Sequence, residues 1–111
     1  MPENEYGARL DRNGYAPSIL QQAECCWRCG AAGGKLDRHE VFHADAGGAL
    51  RAKSKRYGLW VLLCHDTCHI NGVHRDAGFD RRLKRYAQGM AQAEYGWSND
   101  TFIKIFGRNY R

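Results

Sequence analysis

Cys26-Trp27-Arg28-Cys29-Gly30 and, past residues 30–63, Cys64-His65-Asp66-Thr67-Cys68 give this chain two close pairs of thiols. Zinc takes four such ligands in a tetrahedron. A CxxC turn presents two of them from one tight loop, and Gly30 frees the backbone to curl so that amide N–H groups point at sulfur. The second pair, with three residues between its cysteines, follows an apolar run and sits where a helical turn can begin. Two distant pairs that share one ion staple a small domain whose core is limited. Cys26, Cys29, Cys64 and Cys68 are therefore the expected zinc ligands. Cys25 offers a shifted CxxxC with Cys29, and nothing in the sequence prefers it. Five is an odd number of cysteines, and Met-Pro-Glu-Asn-Glu-Tyr has no apolar signal core, so a disulfide framework is the weaker reading. A redox CxxC would open a helix after a strand, and Gly30, Gly33 and Gly34 argue against a helix there.

Outward from the thiols the chain changes character. Residues 1–24, punctuated by Pro2, Gly7, Gly14 and Pro17, hold no period and read as an N-terminal arm, with Ile19 and Leu20 able to dock on a core. Residues 25–111 read as one zinc domain with a C-terminal helical extension. Lys35–His43 is expected to form a short strand, residues 44–49 a glycine-bearing loop, and Tyr57-Gly58-Leu59-Trp60-Val61-Leu62-Leu63 a buried strand ending at Cys64. Asp80 is expected to cap a helix with the apolar stripe Phe79, Leu83, Tyr86, Ala87, Met90 and Tyr95, ended by Gly96. Ser98-Asn99-Asp100 predicts a second, shorter helix carrying Phe102, Ile103 and Phe106 and stopped by Gly107. Strand, strand, then helices is a small α+β fold around a zinc staple. Trp27, Trp60 and Trp97 are expected in core or zinc-shell packing.

A chain of 111 residues is one domain by length, and 43% apolar with 26% charged residues is globular composition. No run of about 18 uncharged apolar residues exists to span a bilayer. The expected compartment is the cytoplasm, where thiols stay reduced and serve metals. Net charge is +5, unevenly spread: residues 51–85 hold nine basic and three acidic side chains. A polyanion is the natural partner of such a stretch. Its densest part places Arg51, Lys53, Lys55 and Arg56 as the candidate nucleic-acid contacts; the plainer reading is a solvated basic face.

The histidines are grouped as well. His39 and His43 flank the first expected strand, and His65, His69 and His74 lie around the second thiol pair. Imidazole titrates near neutrality, binds metals and serves as a general base. In order, Cys-x-x-Cys-Gly, then Leu36-Asp37-Arg38-His39-Glu40-Val41-Phe42, then an apolar strand ending in Leu63-Cys64, then Cys68-His69 resembles the HNH endonuclease superfamily. More narrowly it is similar to small HNH-like proteins of bacteriophages and prophages. Arg38-His39-Glu40-Val41-Phe42, Tyr57-Gly58-Leu59-Trp60-Val61 and Phe106-Gly107-Arg108-Asn109-Tyr110 carry that narrower likeness, which covers about residues 11–111.

The resemblance implies a treble-clef, ββα-metal core and a metal-dependent endonuclease that hydrolyses phosphodiester bonds of duplex DNA, in the host cytoplasm if the protein is phage-encoded. His39 matches the general base. His69 matches a ligand of the catalytic cation, Mg²⁺ or Mn²⁺, and His74 a second ligand displaced by the Ile70-Asn71-Gly72-Val73 turn; zinc at the cysteines is structural. His43 and His65 match no site position and are expected at the surface. Three departures stand beside the match: Arg38 occupies the position where a cation ligand usually precedes the base, the usual Asn before the second thiol pair is absent, and that pair is spaced by three residues. Two further readings therefore remain: a non-catalytic zinc-stapled nucleic-acid-binding module, and a phage interaction or inhibitor protein with a degenerate HNH fold.

Overall fold

The computed structural model describes residues 2–43 and 48–111. Its elements are β1 (Leu36–Glu40), α1 (Ala49–Arg56), β2 (Trp60–Cys64), a wide π-helical segment (His65–Val73), α2 (Ala77–Tyr95) and α3 (Asn99–Phe106). β1 and β2 pair antiparallel, with Leu36 opposite Cys64 and His39 opposite Val61. This register sets the start of β1 beside the second thiol pair and His39 in the body of the sheet. The outer edge of β2 is closed by the first thiol loop and the arm: Trp27 N–H donates to the Leu62 carbonyl at 2.7 Å, and the Leu62 N–H donates to Gln21 Oε1 at 2.8 Å.

The sheet and helices close on one apolar core. Val41, Phe42, Leu59, Val61 and Leu63 come from the strands and their ends; Phe79, Leu83, Ala87 and Ala91 come from α2; Phe102 and Phe106 come from α3, all buried. Phe42 is the hub, its ring 4.7 Å from that of Phe106, 5.1 Å from Tyr110 and 5.4 Å from Phe102. Ser54 of α1, fully buried, accepts the Phe42 N–H and donates to the Phe42 carbonyl, which fixes the end of β1 against α1.

Residues 2–24 of the arm lie along this body. Ser18 Oγ donates to the Trp60 carbonyl, Trp60 Nε1 donates to the Ala16 carbonyl, and Asn4 donates to the Arg56 carbonyl. Gly58, at φ +70°, lets Pro17 come so close that a Cβ would stand 2.3 Å from the Pro17 oxygen.

Several expectations change. The basic run is helical, as α1, because Ala, Arg, Lys and Ser tolerate a helix and Leu50 packs on the core. The loop expected at 44–49 falls mostly on residues 44–47, outside the described residues, and Ala49 already belongs to α1. Asp76, not Asp80, caps α2: its carboxylate accepts the Phe79 N–H at 3.0 Å, so the helix starts a turn earlier and Asp80 lies inside it. Tyr86 is exposed, and the buried stripe of α2 runs instead through Phe79, Leu83, Ala87, Gln88 and Ala91. Gly96 and Gly107 end their helices in the left-handed conformation, and Ser98 caps α3 by accepting the Thr101 N–H. No described helix is long and apolar enough to cross a membrane.

Candidate metal centres

The first thiol loop is folded by its own backbone. Cys26 N–H donates to Ala31 O, Gly30 N–H donates to Cys26 O, and Cys29 N–H points at Cys26 Sγ at 3.4 Å. His65 N–H, donating to Lys35 O, ties the second pair to the start of β1. The result is a cluster in which the Sγ atoms of Cys26, Cys29, Cys64 and Cys68 all lie within 4.8 Å of one another. Cys29 and Cys64 sulfurs are 3.5 Å apart, too far for a disulfide bond. Four thiolates at about 2.3 Å from a tetrahedral zinc stand about 3.8 Å apart, so the cluster fits that ion. Cys25 lies outside it, its carbonyl taken by Gln21.

Thiol electrostatics agree with that donor set. Burial opposes ionisation of Cys26, but the amides of Cys29, Cys64 and Arg28 aimed at its sulfur bring it down to about 6. Cys64 is pushed up to about 12, first by Cys29 and then by burial and Cys26. One negative sulfur thus raises the cost of the next, and a bound dication offsets that repulsion.

A second cluster forms around His39 of β1. His39 is 2% exposed, and its Nε2 is a buried polar atom with no hydrogen-bond partner. Ligand nitrogens of His39, His69 and His74 lie within 4.8 Å of one another, and His69 Nε2 is 3.1 Å from His74 Nε2. Asp37 Oδ2 stands 2.9 Å from His69 Nδ1 and 2.6 Å from His65 Nδ1. Burial works against the Asp37 charge, yet these imidazole partners hold its carboxyl below the usual range. A carboxylate only accepts, so both Nδ1 atoms donate, which leaves His69 Nε2 facing His74 Nε2. His39 is driven to about 2, first by burial and then by its imidazole neighbours and Lys84, so it is neutral at ordinary pH.

The cleft over these rings has a volume of about 260 Å³ and is lined by Tyr15, Glu40, His43, Arg51 and the three histidines, with Arg38 at its rim. Two carboxylates to which the sequence reading assigned no site role stand here. Asp37 orients His69, and Asp80 brings an oxygen within 4.8 Å of ligand nitrogens of both His39 and His43. His43 and His65, expected at the surface, are both partly buried: the His43 ring is 5.2 Å from that of His39, and His65 is held by Asp37. At the cleft rim Arg38 pairs with Asp11 at 3.1 Å and stacks over Tyr15 and Trp60. Asn71 is exposed.

Comparison with protein-family models, with curated proteins and with solved structures found no match to this chain.

The four basic residues of α1 do not act as a unit. Arg51 reaches the cleft, 3.8 Å from Glu40. Lys53 donates to the Ile105 carbonyl at the end of α3, Lys55 sits over the Tyr15 ring, and Arg56 pairs with Glu5 at 2.6 Å. Other cations gather nearby. A depression of about 310 Å³, lined by Asp80, Arg81, Lys84, Arg108 and Arg111, adjoins the histidine cleft through Asp80, an oxygen of which lies within 4.8 Å of ligand nitrogens of His39 and His43. Its far wall is the C-terminal segment, fixed by the fully buried Gln88, which accepts the Tyr110 N–H and donates to Asn109 Oδ1.

Proposed function

We propose that the protein is a small, zinc-stapled, divalent-cation-dependent nuclease of HNH type that hydrolyses phosphodiester bonds in DNA. One observation carries the reading: a buried, unpartnered His39 Nε2 clustered with His69 and His74 beneath a cleft rimmed by arginine. A buried nitrogen without a partner is costly, and a lone pair held in that state awaits a cation or a proton donor. The antiparallel strand pair followed by a helical turn and a helix supports the ββα arrangement that the resemblance implies.

The roles divide among the chain's own residues. Asp37 fixes the His69 ring, and His69 and His74 hold the cation. His39 supplies a third lone pair at the same point. As a ligand it completes the set; as the base that the resemblance implies, it takes the proton of the water that attacks phosphorus. Arg51, and across Asp80 the depression of Arg81, Lys84, Arg108 and Arg111, face the phosphates on either side. The cation, Mg²⁺ or Mn²⁺, offsets charge on the phosphate and on the leaving oxygen.

Plasmid cleavage with Mg²⁺ or Mn²⁺ tests the reading, using wild type and His39→Ala of measured zinc content. Loss of cleavage by about 10² to 10⁴ in the variant supports it. If cation affinity falls as well, His39 is a ligand; if only the rate falls, it is the base. Nuclease-free protein that cuts no DNA with any divalent cation, yet binds duplex, leaves the non-catalytic binding module standing. Protein that neither cuts nor binds leaves the interaction protein.

A further inference from the structure

We propose that Asp80, with His39 and His43, forms a carboxylate-bearing cation position at the edge of the histidine cleft, that Lys84 competes for Asp80, and that this contest sets which cation that position accepts. The inference rests on the histidine cleft being a cation site, and it adds a residue on α2 that neither the resemblance nor the thiol frame assigns.

Four observations converge. An Asp80 oxygen lies within 4.8 Å of ligand nitrogens of His39 and His43, and His39 also belongs to the group with His69 and His74. The two groups share His39 alone, whose buried Nε2 lacks a partner, so Asp80 with His39 and His43 marks a position beside the one made by His39, His69 and His74. Asp80 is free of the capping duty, which Asp76 performs. The other carboxylates near the cleft are engaged: Asp37 binds His65 and His69, and Glu40 faces Arg51.

What Asp80 does hold is Lys84, one turn along α2, at 2.8 Å. That ammonium has a second place to go. Its Nζ is 5.6 Å from the Tyr110 ring, in the depression lined by Arg81, Arg108 and Arg111. A cation that takes the Asp80 oxygen releases Lys84 toward the side where a phosphate would lie.

Donor chemistry gives the consequence. Imidazole suits zinc and nickel, while carboxylate oxygen suits magnesium and manganese. A cleft of imidazoles alone discriminates against the harder ions. With Asp80 the set is mixed and manganese is accepted.

The test titrates Mn²⁺ and Ni²⁺ separately into zinc-loaded protein, reading free Mn²⁺ by electron paramagnetic resonance and Ni²⁺ by calorimetry. Wild type, Asp80→Asn and Lys84→Met are compared, with thermal melts to show that each is folded. Asp80→Asn should weaken Mn²⁺ by about tenfold or more and Ni²⁺ by markedly less, as loss of one oxygen donor requires. Lys84→Met should move Mn²⁺ affinity the other way. Equal losses for the two ions in Asp80→Asn, or unchanged Mn²⁺ affinity in either variant, would overturn the proposal. Wild type that binds Ni²⁺ but not Mn²⁺ overturns the role of Asp80 and leaves the histidine site in place. Wild type that binds neither ion overturns both.

Discussion

Asp37 and His69 are joined by a 2.9 Å hydrogen bond from the imidazole Nδ1 to the carboxylate, across from a strand to the helical turn that follows the second thiol pair. The bond chooses the tautomer and aims Nε2 at His74. Asp37→Asn keeps the shape and one acceptor oxygen but loses the negative charge that serves two rings. Cation affinity of the histidine cleft should drop by about 10- to 100-fold, with zinc content and melting temperature little changed. Calorimetric titration checks this, and an Asn variant that binds as tightly as wild type would remove Asp37 from the site.

The thiol cluster predicts about one tightly held zinc per chain by elemental analysis. Structural zinc contributes apparent binding energies of about 10–16 kcal/mol in small domains, comparable to the whole stability of a domain this size. Cys29→Ser and Cys64→Ser should therefore leave the far-ultraviolet spectrum of an unfolded chain. Cys25→Ser should change neither zinc content nor fold, because Cys25 stands outside the cluster.

The split within α1 predicts unequal charge variants. Arg51→Ala, and Arg81→Ala with Arg108→Ala, should weaken duplex DNA binding and lower the slope of log affinity against log salt by about one for each phosphate no longer neutralised. Lys53→Ala should instead lower the melting temperature, since its ammonium ties α1 to the last turn of α3. Arg56→Ala removes an exposed pair worth about 0–1 kcal/mol and should leave affinity unchanged. Fluorescence anisotropy over a salt series separates these outcomes. A Lys53 variant that loses affinity but keeps its melting temperature would restore the whole run as a DNA-facing surface.

Acid should loosen the protein through His39. Its folded pKa is pushed down to about 2, below the unfolded value of about 6.5, so the unfolded chain binds the extra proton. Stability is complete above about pH 6.5 and falls as pH drops below it, by up to about 1.4 kcal/mol per pH unit for one proton. Denaturant melts between pH 7 and 5, without added divalent cation, should show this decline. His39→Gln should flatten it; a slope identical to wild type would mean that another group carries the effect.

Much of this architecture could be read from spacing. The thiol pairs, both strands and the stop of each C-terminal helix follow from local chemistry that acts within a few residues. Asp37 was legible too: it lies two residues before His39, and side chains two apart on a strand share a face. The position just before His39, where the resemblance puts a ligand, belongs to Arg38, a cation that cannot bind a metal and whose guanidinium is held by Asp11, Tyr15 and Trp60. Asp80 was not legible. Its place depends on how α2 crosses the sheet, and the competing cap at Asp76 differs from it by one turn of helix. The fates of Lys53 and Arg56 were equally hidden, because their partners, Ile105 and Glu5, lie about fifty residues away.

The pairing of Leu36 with Cys64 has a consequence for how the chain is made. Cys26 and Cys29 leave the ribosome early, but the sulfurs that complete their set, and the strand on which their loop hangs, follow only with residues 60–68. During that interval the nascent chain carries reduced thiols with half a coordination shell and an arm whose docking edge does not yet exist. The free zinc level and the redox state around the translating ribosome should therefore govern how much of the newborn protein reaches its native form.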